Sequence, residues 1–293
     1  MSRFERQSFL GRDSEARLDA ATVGIIGLGG GGSHMVQQFA HIGIGGQVDV
    51  DPDHITDNNT NRLIGGTLRD VRDATLKITI AERLIRGLQP HARIVAVPDK
   101  WQNATEHLKH CDLILGAVDG FIEREQIERF ARRHLIPYID IGMDVHDLGE
   151  HGHLVAGQVI LSMPGFPCLR CCGFITDERL KLEAARYGAA GGRPQVVWPN
   201  GVLASTAVGL GVQLITSWFS NPPAFTYLEY DGNRGTVSAS AHVAALKGRV
   251  CPHHPSEETG DPFFDIREHM RRFESTPGRL TFWRRLFRLP PKH

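Results

Sequence analysis

The first apolar run, Val23 to Ile26, is partly β-branched and stops abruptly at Gly27, Gly29, Gly30, Gly31 and Gly32. An apolar run that enters a glycine turn reads as a buried parallel strand. From Ser33 the pattern turns helical, and Gln47 to Val50 forms a second strand ending in Asp51 and Asp53. The grammar then repeats. A helix spans Arg69 to Leu88, carries Lys77 near its middle and is stopped by Pro90. A third strand covers Arg93 to Val97, a fourth Asp112 to Val118, a helix Phe121 to His134, and a fifth strand Ile136 to Ile141. Strands alternating with helices require a mostly parallel sheet with helices on both faces, a Rossmann-like doubly wound α/β fold.

Beyond Gly142 the pattern changes. Leu154 to Ser162 reads as a strand with no crossover helix before it. A cysteine cluster, a glycine-rich passage at Gly188 to Pro194, a small-residue helix from Val202 to Phe219, and strands at Phe225 to Tyr230 and Thr236 to Ser240 follow. Such strands extend the first sheet antiparallel and share its core. Before the first strand, Met1 to Ala21 reads as a charged helical arm; its Arg3, Arg6, Arg12 and Arg17 default to solvent. No internal repeat is found. The chain thus divides into an arm at 1–21, a folded unit at 22–254 with halves 22–145 and 146–254, and a tail at 255–293.

With 33 acidic and 33 basic residues the chain is neutral, which argues against a dedicated nucleic-acid partner. No apolar stretch approaches the roughly 18 residues of a membrane span. The charged start, MSRFERQSFLGRDSEAR, does not suit a secretory signal, so a cytoplasmic location is expected. Of five cysteines, three fall within Cys168 to Cys172, a spacing that suits metal chemistry in a reducing compartment better than disulfides.

Chemistry-bearing residues converge on one sheet edge. The G-x-G-x-x-G at Gly27, Gly29 and Gly32 lets backbone N–H groups approach phosphate oxygens, aided by the helix N-terminus behind it. Asp51 is placed to accept hydrogen bonds from ribose hydroxyls, and Asp119 falls just past the carboxyl end of the fourth strand, on the same edge. Elsewhere, Cys168 and Cys171 form C-x-x-C, and Cys251 with His254 forms C-x-x-H, the two short clips a tetrahedral Zn²⁺ takes; His253 is an alternative to His254.

Taken together, the sequence resembles the ThiF-type adenylyltransferases, a family that includes molybdopterin-synthase adenylyltransferase and the adenylation half of ubiquitin-activating enzymes. The resemblance covers residues 3–254. It rests on RFERQ at Arg3 to Gln7, GLGGGGS at Gly27 to Ser33, DPD at Asp51 to Asp53, NTNR at Asn59 to Arg62, Lys77, VDG at Val118 to Gly120, CLRC at Cys168 to Cys171 and CPHH at Cys251 to His254. It implies ATP-dependent adenylation of the C-terminal glycine carboxylate of a ubiquitin-like or sulfur-carrier β-grasp protein, with release of pyrophosphate. In the unit 22–254 it implies a nucleotide-binding half and a carrier-binding, zinc-holding half.

Matched position by position, the resemblance implies that Arg62 and Lys77 bind the triphosphate, beside Asn59. Asp51 and Asp53 with Gly27, Gly29, Gly30 and Gly32 complete the nucleotide site, and Asp119 holds Mg²⁺. Arg6 matches an arginine that reaches the other subunit's ATP in a homodimer. A carboxylate attacking an α-phosphate brings two anions together, so cations aimed at the developing charge suit this chemistry. The implied zinc is structural, since protein fills all four positions, and it anchors the crossover region between the clips.

The chain also departs from the family. His254 stands where the family has cysteine, and no cysteine lies between Cys172 and Cys251 to act as a crossover nucleophile. The acyl-adenylate is therefore expected to pass to an external thiol, a conjugating enzyme or a sulfur donor, with Cys172 as the one spare thiol. Three other readings compete: adenylation of a tRNA-borne carboxylate, as in threonylcarbamoyladenosine dehydratases; an NAD-dependent oxidoreductase, which leaves Arg62, Lys77 and the clips without work; and a non-catalytic binding module of the same fold. His146, His151 and His153 read as an exposed polar loop, and Gly278 to His293, with no counterpart in the family, reads either as a basic amphipathic helix that docks a partner or a membrane surface or as a segment that folds back on the dimer.

Overall fold

Strand β1 (Thr22–Ile26) pairs in parallel with β2 (Gly46–Val50) on one side and β4 (Leu113–Gly116) on the other. A computed structural model describes residues 3–185, 194–216, 218–221 and 225–275. Outside β2 lies β3 (Arg93–Val97), and outside β4 lies β5 (Tyr138–Asp147), both parallel. Antiparallel β6 (His153–Ser162), β7 (Thr226–Asp231) and β8 (Thr236–Ala239) complete one sheet in the order β3-β2-β1-β4-β5-β6-β7-β8. The strand order reverses between β1 and β4. A crevice therefore opens beyond their carboxyl ends, where doubly wound sheets bind ligands.

The helices are α1 (Ser14–Ala20), α2 (Gly30–Ile42), α3 (Leu68–Arg72), α4 (Lys77–Leu88), α5 (Thr105–Leu108), α6 (Phe121–Arg133), α7 (Asp177–Ala185), α8 (Val197–Ile215), α9 (Ala241–Leu246) and α10 (Ile266–Ser275). The antiparallel strands share the packing of the first half, and the two main apolar clusters among the described residues lie one on each sheet face. Val23, Phe39, Ile85 and Leu203 mark the face under α2, α4 and α8; Ile26, Ile114 and Phe130 mark the face under α6. Both layers run through both halves of the sheet, because alternate residues of β5 and β6 serve each: Ile139 and Val159 one, Tyr138 and Ile160 the other.

Several boundaries differ from the sequence pattern. The helix expected over Arg69 to Leu88 is two helices. Thr67 and Asp70 form a capping box that starts α3, and Arg83 holds both Asp70 oxygens at 2.8 Å. Ala74 then takes a left-handed φ of 46°, and Leu76 bridges to His54 in the acidic loop. Lys77 is consequently the first residue of α4 rather than a mid-helix residue. The exposed polar loop expected at His146 to His153 is exposed throughout, and its two ends form the last pairs of a long β5–β6 hairpin. Arg3, expected in solvent, donates to the carbonyl oxygens of Ala40 and Leu88 near the ends of α2 and α4, and so caps both. Most of Gly188 to Pro194, and all of the tail Gly278 to His293, lie outside the described residues. Among the described residues no helix is long and apolar enough to cross a membrane.

Candidate nucleotide site and cysteine cluster

The glycine turn is built by backbone contact. Gly27 follows β1 with a φ of 87°, and its N–H donates to Val50 O at 2.9 Å. A Cβ on Gly32 would stand 1.8 Å from Gly27 O, so the turn closes onto the first turn of α2 only if residue 32 lacks a side chain. Gly29 behaves differently: a Cβ there would meet nothing within 4 Å. The helix begins at Gly30, three residues before the predicted Ser33, and this brings its unpaired N–H groups to the crevice.

A cavity of about 280 Å³ fills that crevice. Gly27, Gly29, Gly30, Asp51, Asp53, Asn59, Arg62, Lys77 and Asp119 line it together. Gly32 sits behind the turn, and Arg6 lies on the exposed side of the arm, outside the cavity. Buried Asp51 braces the turn, accepting the Leu28 N–H at 2.6 Å and the Asp53 N–H at 2.9 Å. Lys77 Nζ stands 3.4 Å from Asp51 and 2.7 Å from Asp53. Arg62 donates to Asn58 O at 2.5 Å and to Asn61 Oδ1 at 2.9 Å, while its buried Nε has no partner among the described residues. The Asn59 amide oxygen accepts from the Thr56 N–H and hydroxyl, which fixes the loop carrying Arg62.

Sequence reasoning missed four residues at this site. Gln195 donates to Asp119 at 3.2 Å, and its carbonyl accepts from Asn61 at 3.0 Å, tying the start of α8 across the cavity. Glu183 of α7 accepts the N–H groups of Phe121 and Ile122, both at 3.1 Å, at the head of α6. Asn200 of α8 packs against Gly30. Buried Arg124 of α6 lines the cavity and pairs with Asp140 at 2.5 Å. In the sequence Arg124 is one charge among many in FIEREQIERFARR; only its closeness to Asp119 could have flagged it.

The cysteine clips do meet. Cys171 Sγ lies 3.7 Å from the sulfurs of both Cys168 and Cys251, and His253 Nδ1 is 3.5 Å and 3.4 Å from Cys168 and Cys171. A tetrahedron with Zn–S near 2.3 Å and Zn–N near 2.0 Å has edges of about 3.5–3.8 Å, so the spacing fits that ion. The imidazole in this group is that of His253, not the expected His254, which turns its Nε2 to buried Glu128 at 3.7 Å. Cys172 is buried, and burial pushes its thiol up to about 12; Cys111 is the same. Neither thiol is exposed for attack.

A profile of the ThiF family matches residues 2–252. The chain belongs to the ThiF family. Among its relatives, a sulfur carrier protein adenylyltransferase of Thermus thermophilus is 31% identical over 129 residues, 42% of this chain and 47% of that one. A tRNA threonylcarbamoyladenosine dehydratase of Haemophilus influenzae is 29% identical over 136 residues, 44% of this chain and 50% of that one. The match thus spans about half the length of these curated relatives. The crystal structure of E. coli MccB with ATP shares the fold, with a TM-score of 0.65 at 19% identity, over 82% of this chain and 71% of that one.

Proposed function

We propose that this ThiF-family chain uses ATP to adenylate the C-terminal glycine carboxylate of a ubiquitin-like or sulfur-carrier protein, releasing pyrophosphate. One observation carries the reading: a glycine turn, two acids, Asn59, Arg62, Lys77 and Asp119 line a single cavity at the reversal point of the sheet. Asp51 suits a ribose, Arg62 and Lys77 suit the phosphates, and Asp119 suits Mg²⁺, whose charge would offset that of the reacting anions. With Cys172 and Cys111 buried, the acyl-adenylate passes to an outside thiol or sulfur donor. Zinc held by Cys168, Cys171, Cys251 and His253 serves structure, and Arg6 completes the site of a second copy in a homodimer. The relative that is a threonylcarbamoyladenosine dehydratase supports a second reading, activation of a tRNA-borne carboxylate.

ATP–pyrophosphate exchange tests both. Purified protein with Mg²⁺ is given candidate carriers ending in free glycine or, separately, threonylcarbamoylated tRNA. Exchange that requires the carrier's terminal carboxylate and is lost in Asp119→Ala is the expected result. Exchange with tRNA alone would replace the carrier reading by the second one, and none with either would overturn both.

A further inference from the structure

The cavity wall formed by β4, β5 and α6 contains a buried polar unit that the roles above do not use. Arg124 Nη1 donates to Asp140 Oδ2 at 2.5 Å and to Ile141 O at 2.9 Å. The other Asp140 oxygen accepts the Tyr138 hydroxyl at 2.9 Å. Tyr138 and Asp140 are fully buried, and Arg124 is 5% exposed. The backbone makes room for this unit at two glycines. A Cβ on Gly116 would stand 2.3 Å from the Tyr138 hydroxyl, and one on Gly142 would stand 2.7 Å from Arg124 Nη2.

Burying an ion pair gains little stability over an apolar pair of the same size, so retaining one beside a cavity needs another reason. Arg124 is the member of the unit that lines the cavity. Nη1 is spent on two protein acceptors, which fixes the plane of the guanidinium and the direction of its remaining N–H groups. A fixed guanidinium is the donor set that matches a carboxylate or phosphate with two parallel bonds. Burial lifts the Asp140 carboxyl above its ordinary range and the guanidinium opposes that lift, while burial holds the Tyr138 hydroxyl protonated as a donor.

We infer that Asp140 and Tyr138 are positioning residues, which hold Arg124 toward the anion formed between the attacking carboxylate and the α-phosphate. This rests on the adenylation reading. Its test is a double-mutant cycle on pyrophosphate exchange, using the wild-type protein with its carrier, Tyr138→Phe, Arg124→Lys and the pair, with Asp140→Asn as a further variant. Tyr138→Phe removes one hydroxyl and leaves the ion pair, so it is the variant that tests the idea even where Asp140→Asn does not fold. A three- to tenfold lower kcat is expected, with affinity for a non-hydrolysable ATP analogue within threefold of wild type. In the Arg124→Lys background the same change should cost nothing more. Equal losses in both backgrounds, or a kcat unchanged by Tyr138→Phe, would overturn the positioning role alone. A wild type with no exchange on any carboxylate would instead remove the adenylation reading and this inference with it.

Discussion

Asp49 is the least comfortable residue in the sheet, and the substitution Asp49→Asn should make the protein more stable at neutral and alkaline pH. It lies in β2, 1% exposed, with both carboxylate oxygens lacking a partner among the described residues. Its register neighbours are Ile25 on β1 and Ala96 on β3. Burial, and then the charge of Glu82 on α4, pushes its carboxyl from 3.8 up to about 8. The folded chain therefore keeps a proton that the unfolded chain releases above about 4. Stability from this group is complete below the unfolded value, falls as pH rises, and is lost once pH passes the folded value of about 8.

One pH unit corresponds to about 1 kcal/mol or slightly more, so wild type should lose a few kcal/mol, on the order of 3, from this group between pH 5 and pH 7. The loss levels off near the folded value and reaches about 4 kcal/mol by pH 9. The amide introduced by Asp49→Asn does not titrate, but once buried it leaves N–H donors unpaired at a cost of about 1–3 kcal/mol. The two stability curves should accordingly cross: the variant is no better than wild type at pH 5 and clearly better at pH 8. Urea unfolding at unit pH steps from 5 to 9 measures the difference, in which the titration of every other group cancels. A difference that stays constant with pH would refute the reasoning, since it would mean that Asp49 is ionised in the folded protein and has a partner.

Two other expectations follow from the geometry. Gly32→Ala must push the Gly27 carbonyl aside and should destabilise the fold by about 1–3 kcal/mol or more, whereas Gly29→Ala should leave the urea midpoint near wild type and weaken ATP binding at least tenfold, as measured by titration with a fluorescent analogue. The purified protein should carry one zinc per chain; chelation should lower its melting temperature, and His253→Ala should release zinc more readily than His254→Ala, so a metal-free protein of unchanged stability would dismiss the cluster as a metal site.

Much of the fold was legible because most parallel strands are short runs rich in apolar, β-branched residues bounded by turn residues, and because the strand after Gly142 follows with no crossover helix before it. The reversal point and its glycine turn followed from that order. What escaped the pattern was local. The break at Asp73 to Leu76 carries no proline or glycine; it is set by the Asp70 cap, the ion pair to Arg83 and the left-handed Ala74, which are tertiary facts. The choice between His253 and His254 turns on Glu128, far earlier in the chain, against which His254 sets its Nε2 while His253 Nδ1 meets Cys168 and Cys171. Arg124 and Gln195 reach the cavity, and Glu183 the head of α6 beside it, from elements that come together only after the sheet has formed. By residue type alone they read as ordinary solvated side chains along a helix or loop.

The break in the predicted helix is also what gives Lys77 its place. From the first position of α4 its backbone N–H donates to Asp53 O at 3.0 Å, and its ammonium lies between Asp51 and Asp53. The two acids are unequal. Asp51 is buried and fixed by two backbone donors, whereas the Asp53 side chain is 65% exposed. Only the Asp53 end of this pair is solvated, so water can take the place of the ammonium at Asp53 when a polyphosphate bound as proposed draws it away, whereas the buried Asp51 has no such substitute. Asp51 keeps its neighbouring charge throughout and goes on bracing the glycine turn through Leu28. With the helix broken there, Lys77 sits between its two unequal acid partners, and a polyphosphate bound as proposed would meet a cation rather than the acids that shape the turn.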